Sequence, residues 1–98
     1  MNKGPKFIFS EDEVQLLTTK FRILSEESRI KILQILQNKE KSVNEIVEES
    51  GFLQANVSKQ LKILTQGGIV SFRTDGKQHI YSIADDQVLR ICKVICNK

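Results

Sequence analysis

Two short helices joined by a tight turn are predicted by residues 42–68, SVNEIVEESGFLQANVSKQLKILTQGG. Ser42 begins the first helix as an N-cap, with Glu45 three residues later as in a capping box. Gly51 ends this helix, at a position where a left-handed residue is favoured. The second helix runs from Gln54 to Gln66, with apolar residues at helical spacing, and two glycines stop it. The segment therefore predicts a helix-turn-helix.

A two-stranded hairpin is predicted directly after these helices, because the period of the apolar residues changes from about 3.6 to 2. Residues 69–73 and 78–83 are expected to be the strands. Asp75-Gly76 lies between them, and Asp-Gly is among the strongest short hairpin signals. A helix-turn-helix followed by a two-stranded ribbon is the layout of a winged helix-turn-helix.

Three further helices are predicted around this unit. The first starts at Ser10, with Glu13 completing a capping box, and runs to about residue 24. The second begins at residues 25–28. The last begins near Asp85 and runs to the end of the chain. We therefore expect a mainly α fold with a β-hairpin wing, an α+β winged helix-turn-helix in the order α-α-α-α-β-β-α. We expect it to form a single domain over residues 1–98, with residues 1–9 as a loose leader.

The composition fits a small soluble domain. The chain has 98 residues, 40% of them hydrophobic and 28% charged, and a formal net charge of +3. This mildly basic balance is compatible with a polyanionic partner but does not demand one. No apolar run approaches the ~20 residues that cross a bilayer, and the N-terminus lacks the pattern of a signal peptide. We therefore expect a cytoplasmic protein with no membrane partner.

Catalysis is not expected from this chain. It has one histidine, two cysteines without an obvious partner base, and no glycine-rich phosphate loop. The single histidine, His79, is expected to be an ordinary strand residue, since a lone histidine is a poor metal site. The sequence thus predicts no catalytic residue, no cofactor and no metal site.

The outward face of the second helix of the pair points to DNA. From Gln54 to Gln66 the sequence contains no acid, and the residues between the apolar positions are small or polar. Asn, Gln, Ser and Lys bond to base edges, and an acid-free face suits a phosphate-lined groove. We predict that this helix enters the major groove and that the hairpin is a wing. The predicted DNA-binding residues are Gln54, Asn56, Ser58, Lys59, Gln60, Lys62, Arg73 and Lys77.

Other interpretations of the same elements stay open. An ordinary amphipathic surface helix also has a solvated polar face, and an ordinary turn also carries surface charges. The alternative function is a winged-helix protein-interaction module that does not bind DNA, because fold does not imply function. Such a module should show exposed hydrophobic residues where this helix shows Asn, Ser, Lys and Gln.

Segments in three parts of the chain resemble the ArsR/SmtB family of bacterial and archaeal repressors. These segments are similar to that family's second helix, recognition helix and wing. The resemblance extends from about residue 14 to residue 96. The segments are residues 21–33 (FRILSEESRIKIL), residues 57–64 (VSKQLKIL), and the wing residues Gly68-Ile69-Val70, Arg73, Gly76 and Tyr81-Ser82-Ile83.

The resemblance implies a homodimer formed chiefly by the first and last helices, residues 10–24 and 85–96. It also implies binding to an inverted repeat in double-stranded operator DNA, and repression that is relieved by an effector. The chain departs from the family's sensor sites, because residues 40–46 contain no cysteine and Gln87 and Lys98 stand at the two histidine positions of the zinc-type site. The effector is therefore left unknown.

Two cysteines remain as candidate sensor thiols. Cys92 and Cys96 are four residues apart, which places them on roughly one face of the last helix. An intrahelical disulfide is disfavoured because the side chains point in parallel. Three interpretations stay open: small apolar packing residues, thiols that sense sulfur or oxidants, or ligands of a soft metal ion near the two-fold axis of a dimer.

Overall fold

The computed structural model describes residues 8–98 as five helices and a three-stranded antiparallel sheet. The order α1-α2-β1-α3-α4-β2-β3-α5 confirms the winged helix-turn-helix and adds one short strand to it. Residues 1–7 of the predicted leader lie outside the described residues. The elements are α1 (Glu11–Leu24), α2 (Glu27–Leu36), β1 (Lys41–Ser42), α3 (Val43–Ser50), α4 (Gln54–Gln66), β2 (Val70–Asp75), β3 (Gln78–Ile83) and α5 (Asp86–Ile95).

Side-chain caps begin α1 and α3, as the sequence predicts. Ser10 Oγ accepts a bond from the Glu13 N–H at 3.1 Å, and the Glu13 carboxylate accepts from the Ser10 N–H at 2.9 Å. Ser42 and Glu45 repeat this box at 3.2 and 2.9 Å. Two otherwise orphaned N–H groups at each helix start are thereby satisfied. Gly51 ends α3 with φ at 75°, a conformation that glycine adopts at least cost.

The strand β1 corrects the predicted element order, which has no strand before the hairpin. Lys41 pairs with Tyr81 and Ser42 with Ile80, so the sheet order is β1-β3-β2. Two residues are too few to show the alternation that identifies a strand in a sequence. Because Ser42 is also the N-cap of α3, this pairing fixes the start of α3 against the wing.

The hairpin has a continuous register from Val70 opposite Ile83 to Asp75 opposite Gln78. β2 therefore runs two residues beyond the predicted end at residue 73, so the predicted loop of residues 74–77 shortens to Gly76-Lys77. Of these two loop residues only Gly76 has a positive φ, at 64°, which fits a type II′ turn with glycine first. This loop places Lys77 at the tip of the wing.

The core lies between α2, α3, α4, the base of the hairpin and the first turn of α5. The helix α1, Glu11–Leu24, contributes no fully buried residue to it. Within residues 8–98 no helix combines the length and the apolar character needed to cross a bilayer. The buried residues are Ile32, Leu33, Leu36, Ile46, Val57, Leu61, Leu64, Ile69, Val70 and Val88.

Apolar side chains of the first and last helices stay exposed in the single chain. Val14 and Phe21 on α1 are 44% and 49% exposed. Val94 and Ile95 on α5 are 78% and 75% exposed. The core of one chain therefore leaves an apolar surface on both helices without cover.

An ion pair ties α1 to the start of α5. The Lys20 ammonium donates to the Asp85 carboxylate, and the same carboxylate caps α5 by accepting from the Gln87 N–H at 3.1 Å. The bond from Lys20 holds the pKa of Asp85 below its ordinary value. Because this pKa is lowered by folding, the stabilisation is complete above the unfolded pKa of about 4 and is lost as pH falls through the folded pKa.

Replacing Asp85 by asparagine should isolate the charge of this pair. Asparagine is an equally good N-cap, so we expect Asp85→Asn to lower the free energy of unfolding by about 1 kcal/mol at pH 7 through loss of the ion pair alone. Urea denaturation at a series of pH values measures this difference. The difference should shrink as pH falls below about 4. A loss of stability that stayed constant down to the lowest pH would show that charge is not its cause.

Candidate nucleic-acid interface

The helix α4 presents one exposed stripe that follows the helical repeat. Ala55, Ser58, Lys59, Lys62 and Gln66 are all exposed, and their spacing puts them on one side of the helix. The opposite side is buried in the core. Because no acid lies between residues 54 and 66, the stripe is small, polar and basic. Its shape and charge fit the prediction of a surface that lies against DNA.

The first turn of α4 is open to an anion. Leu53 occupies the N-cap position, where its apolar side chain makes no capping hydrogen bond to residues 54–56. Gln54 and Ala55 are exposed. The N–H groups of this turn carry the positive end of the helix dipole and lack a side-chain cap. A helix start of this kind suits a phosphate of the DNA backbone.

Gln60 lies on the buried side of α4, which corrects its prediction as a DNA-binding residue. The residue is only 5% exposed. Its Oε1 accepts from Arg29 Nη1 at 2.9 Å, and its Nε2 donates to Asn56 Oδ1 at 3.0 Å. A glutamine is tolerated inside because these two partners satisfy both ends of its amide. Polarity alone suggested an outward position, but the helical repeat places residue 60 beside the core residues Val57 and Leu61.

Arg29 is a residue of this region that reasoning on α4 alone missed. Its Nε donates to the Ile23 carbonyl at 2.7 Å, so the guanidinium links the end of α1 and the start of α2 to α4. The sequence feature that could have identified Arg29 is its position, because it is an arginine at the start of a helix that is otherwise apolar on its inner side. Asn56, at the other end of the contact, is half-buried at the edge of the exposed stripe.

The two predicted basic residues of the wing are placed differently. Lys77 is exposed at the tip, beside Gly76. Arg73 lies on β2, away from the tip, and its guanidinium forms two bonds of 3.1 and 2.7 Å with the Glu40 carboxylate. This pairing holds the pKa of Glu40 below its ordinary value. A contact between Arg73 and DNA would therefore require a phosphate to replace Glu40, which an exposed ion pair permits at small cost.

Aromatic rings pack against one another across the two strands of the wing. Phe72 and His79 lie 4.3 Å apart with an angle of 6° between their planes, and Tyr81 lies beside them. They share the face of the hairpin that carries the core residue Val70, but Phe72 and His79 are exposed and only Tyr81 is half-buried. His79 is thus a strand residue with a packing role. Among residues 8–98 no group of three or more histidine, cysteine or acidic side chains is placed to hold a metal ion.

The two cysteines line a groove between α2 and α5 of about 590 Å³. Cys92 is half-buried and Cys96 is exposed, and neither is in a disulfide. The groove also contains Leu89 and Lys93 from α5. The exposed apolar residues Val94 and Ile95 lie on the other flank of α5, beside the half-buried Ile91, around a separate depression. The structure therefore separates the thiols from the exposed apolar stripe of the same helix.

Comparison with known proteins places this architecture in a family. A family model described as bacterial regulatory protein, arsR family, matches residues 26–71, from α2 into β2. Rv0081, an HTH-type transcriptional regulator of Mycobacterium tuberculosis, is 35% identical over 86 residues, which are 87% of this chain and 75% of that protein. Its crystal structure is similar with a TM-score of 0.78 at 34% identity, over 90% of this chain and 89% of the other.

Two further proteins show the same similarity. A probable mercury resistance operon repressor of Streptomyces lividans is 41% identical over 68 residues, which are 69% of this chain and 54% of the repressor. A homodimeric winged helix-turn-helix DNA-binding domain of Mycobacterium bovis, solved by NMR, has a TM-score of 0.80 at 24% identity, over 96% of this chain and 90% of the other. The latter agreement confirms the fold.

Proposed function

This chain belongs to the ArsR family of bacterial regulatory proteins and is a DNA-binding transcriptional regulator, and from that premise we propose that it is a homodimeric repressor of an inverted-repeat operator. The observation that carries the proposal is the exposed, acid-free stripe of α4. A protein-interaction winged helix would need an apolar surface at this place, and the stripe offers only Ala55. The whole chain, residues 1–98, acts in this proposal as one cytoplasmic domain.

The helix α4 is the element that enters the major groove in this proposal. Gln54 and Ser58 lie where the first turns of a recognition helix meet base edges. Lys59 and Lys62 extend from the same stripe to guanine or phosphate oxygens. Lys77 at the wing tip contacts the DNA backbone beside the groove. Phosphate contacts of this kind position the protein, whereas contacts to bases select the sequence.

A second copy of the chain supplies the cover for the apolar surface of α1 and α5. Val14 and Phe21 on α1, and Val94 and Ile95 on α5, are exposed in the single chain. Large exposed apolar patches mark interfaces in soluble proteins. Pairing of residues 10–24 and 85–96 with their copies places two α4 helices about a two-fold axis, and an inverted repeat has the same symmetry.

Salt dependence and sequence preference together test this function. A duplex is selected from a random library by repeated binding, and its affinity is measured by fluorescence anisotropy. We expect the affinity to fall about 10³-fold between 50 and 200 mM salt, as for a protein with at least six phosphate contacts. A scrambled duplex should bind more weakly at every salt concentration. If the affinity depended neither on the salt concentration nor on the duplex sequence, DNA recognition by this chain would be refuted.

We also propose that a thiol-reactive effector acts at Cys92 and Cys96. Both thiols are free and border the groove between α2 and α5. Cβ atoms four residues apart on a helix are about 5–6 Å apart, whereas a disulfide needs about 3.5–4.5 Å. The spacing therefore favours modification of single thiols, or a bridge through one intervening atom, over a direct bond between the two sulfurs.

The exposures of the two thiols predict an order of reaction. Cys96 should be alkylated by iodoacetamide before the half-buried Cys92, as followed by mass spectrometry of timed samples. Alkylation of the folded protein should then weaken operator binding severalfold, because the added group must be accommodated in the groove. Cys96→Ser should resist the early loss. If Cys96→Ser and the unaltered chain lost affinity at the same rate, the effector would act elsewhere.

A further inference from the structure

A continuous chain of hydrogen bonds runs from the junction of α1 and α2 to the edge of the DNA-facing stripe. Arg29 Nε donates to the Ile23 carbonyl at 2.7 Å, and Arg29 Nη1 donates to Gln60 Oε1 at 2.9 Å. Gln60 Nε2 in turn donates to Asn56 Oδ1 at 3.0 Å. Gln60 is buried, whereas Asn56 is half-buried. The bonds thus lead from the interior to the surface of α4.

The direction of every bond in this chain is set by Arg29. A guanidinium has five N–H donors and no acceptor, and it stays protonated in proteins. It therefore binds only the oxygen of the Gln60 amide, which leaves the Gln60 amino group to meet Asn56. An amino group is a donor, so it binds the oxygen of Asn56. The oxygen of Asn56 is held inward by this bond, and both N–H donors of its Nδ2 are left free of Gln60.

We propose that Arg29 and Gln60 are positioning residues that present Asn56 to DNA as a hydrogen-bond donor. This inference rests on the proposed function of α4 as the helix that enters the major groove. Asn56 lies in the first turn of α4, where a recognition helix contacts bases. Its ligand is then a base-edge acceptor: a purine N7, guanine O6 or thymine O4.

The same geometry disfavours the usual pairing of asparagine with adenine. That pairing is bidentate, because the amide oxygen accepts from adenine N6 while the amide nitrogen donates to N7. In this chain the oxygen of Asn56 is already bound to Gln60 at 3.0 Å on the inner side of α4. Asn56 therefore reads one acceptor rather than an adenine edge, and Gln60 acts on DNA only through Asn56.

Two substitutions should each present a hydrogen-bond acceptor instead of a donor to DNA at position 56. Gln60→Glu keeps an oxygen for Arg29 but offers Asn56 an acceptor instead of a donor, so Asn56 should turn its amino group inward and its oxygen outward. Asn56→Asp keeps the bond from Gln60 and also puts an oxygen outward. Both variants should lose about tenfold of the preference at the same base pair of each half-site. Base preferences are measured by selection from a random duplex library and sequencing.

A matched control separates this effect from the added charge. Asn44→Glu adds the same charge at an exposed position on α3, outside the stripe of α4. It should weaken binding to all duplexes alike and leave every base preference unchanged. Circular dichroism shows whether each variant is folded. Asn56→Asp, at a half-buried site in the first turn, keeps the inference falsifiable if Gln60→Glu does not fold, because unchanged base preferences in this variant would overturn it.

The outcomes separate this inference from the function on which it rests. A shared loss of preference at one base pair in both variants, absent from Asn44→Glu, supports the orientation of Asn56 by Arg29 and Gln60. Unchanged base preferences in folded, DNA-binding variants overturn that orientation and leave the proposed function standing. If the unaltered chain selects no sequence from the library, the proposed function and this inference both fail.

Discussion

The double variant Lys59→Ala/Lys62→Ala is expected to bind operator DNA roughly a hundredfold more weakly than the unaltered chain at 0.1 M salt. Both lysines are exposed on the same stripe of α4. In a two-fold dimer the variant loses four positive charges that face DNA. Each lost phosphate contact makes the negative slope of log affinity against log salt shallower by about 0.9. Fluorescence anisotropy at several salt concentrations gives both the affinity and the slope.

A control for the total charge is Lys31→Ala/Lys39→Ala. These lysines are also exposed, but they lie on α2 and in the segment between α2 and β1. Their loss changes the net charge equally, and it should reduce the affinity far less and leave the salt slope nearly unchanged. If the two double variants behaved alike, the basic stripe of α4 would not be the DNA-facing surface.

Charges placed on the exposed flank of α5 should separate the two copies of the chain. We expect Val94→Glu/Ile95→Glu to be monomeric and to lose at least about a hundredfold in operator affinity, because a monomer holds only one half-site. Both residues are largely exposed in the single chain, at 78% and 75%, so the fold of each copy should persist. Sedimentation equilibrium measures the mass, and circular dichroism measures the fold.

The matched control for this variant is Asn44→Glu, which adds a charge at an exposed position on α3, outside the proposed interface. It should leave the chain dimeric. A Val94→Glu/Ile95→Glu protein that kept the mass of a dimer would show that the second copy docks on another surface. It would also leave the apolar flank of α5 without an explanation.

The parts of the fold that the sequence predicted correctly depend on neighbours within a few residues. The capping box of Ser42 with Glu45 and the left-handed end at Gly51 are local signals, and both are confirmed at the predicted positions. The bounds of α4 are also confirmed, because an apolar repeat ends there at two glycines. The strand β1 was missed because its pairing with β3 connects residues about forty positions apart.

Pairing between distant residues explains what the sequence did not reveal at the candidate site. Gln60 is polar, so its sequence position suggested an outward side chain, but its partner Arg29 is 31 residues away. Arg73 is bound to Glu40, 33 residues away, and no local pattern reveals this pairing. Gln54, Ser58, Lys59, Lys62 and Lys77 are exposed as expected. Their DNA contacts remain predictions, as does the role of Asn56 at the edge of the stripe.

The most direct test of the central claim is a map of backbone amide chemical shifts by NMR, recorded before and after addition of the selected duplex. We predict large shift changes along α4, from Gln54 to Lys62, and at Gly76 and Lys77 on the wing, with small changes in α1 and α5. Large changes in α1 and α5, with α4 unaffected, would contradict the claim that this helix lies in the major groove.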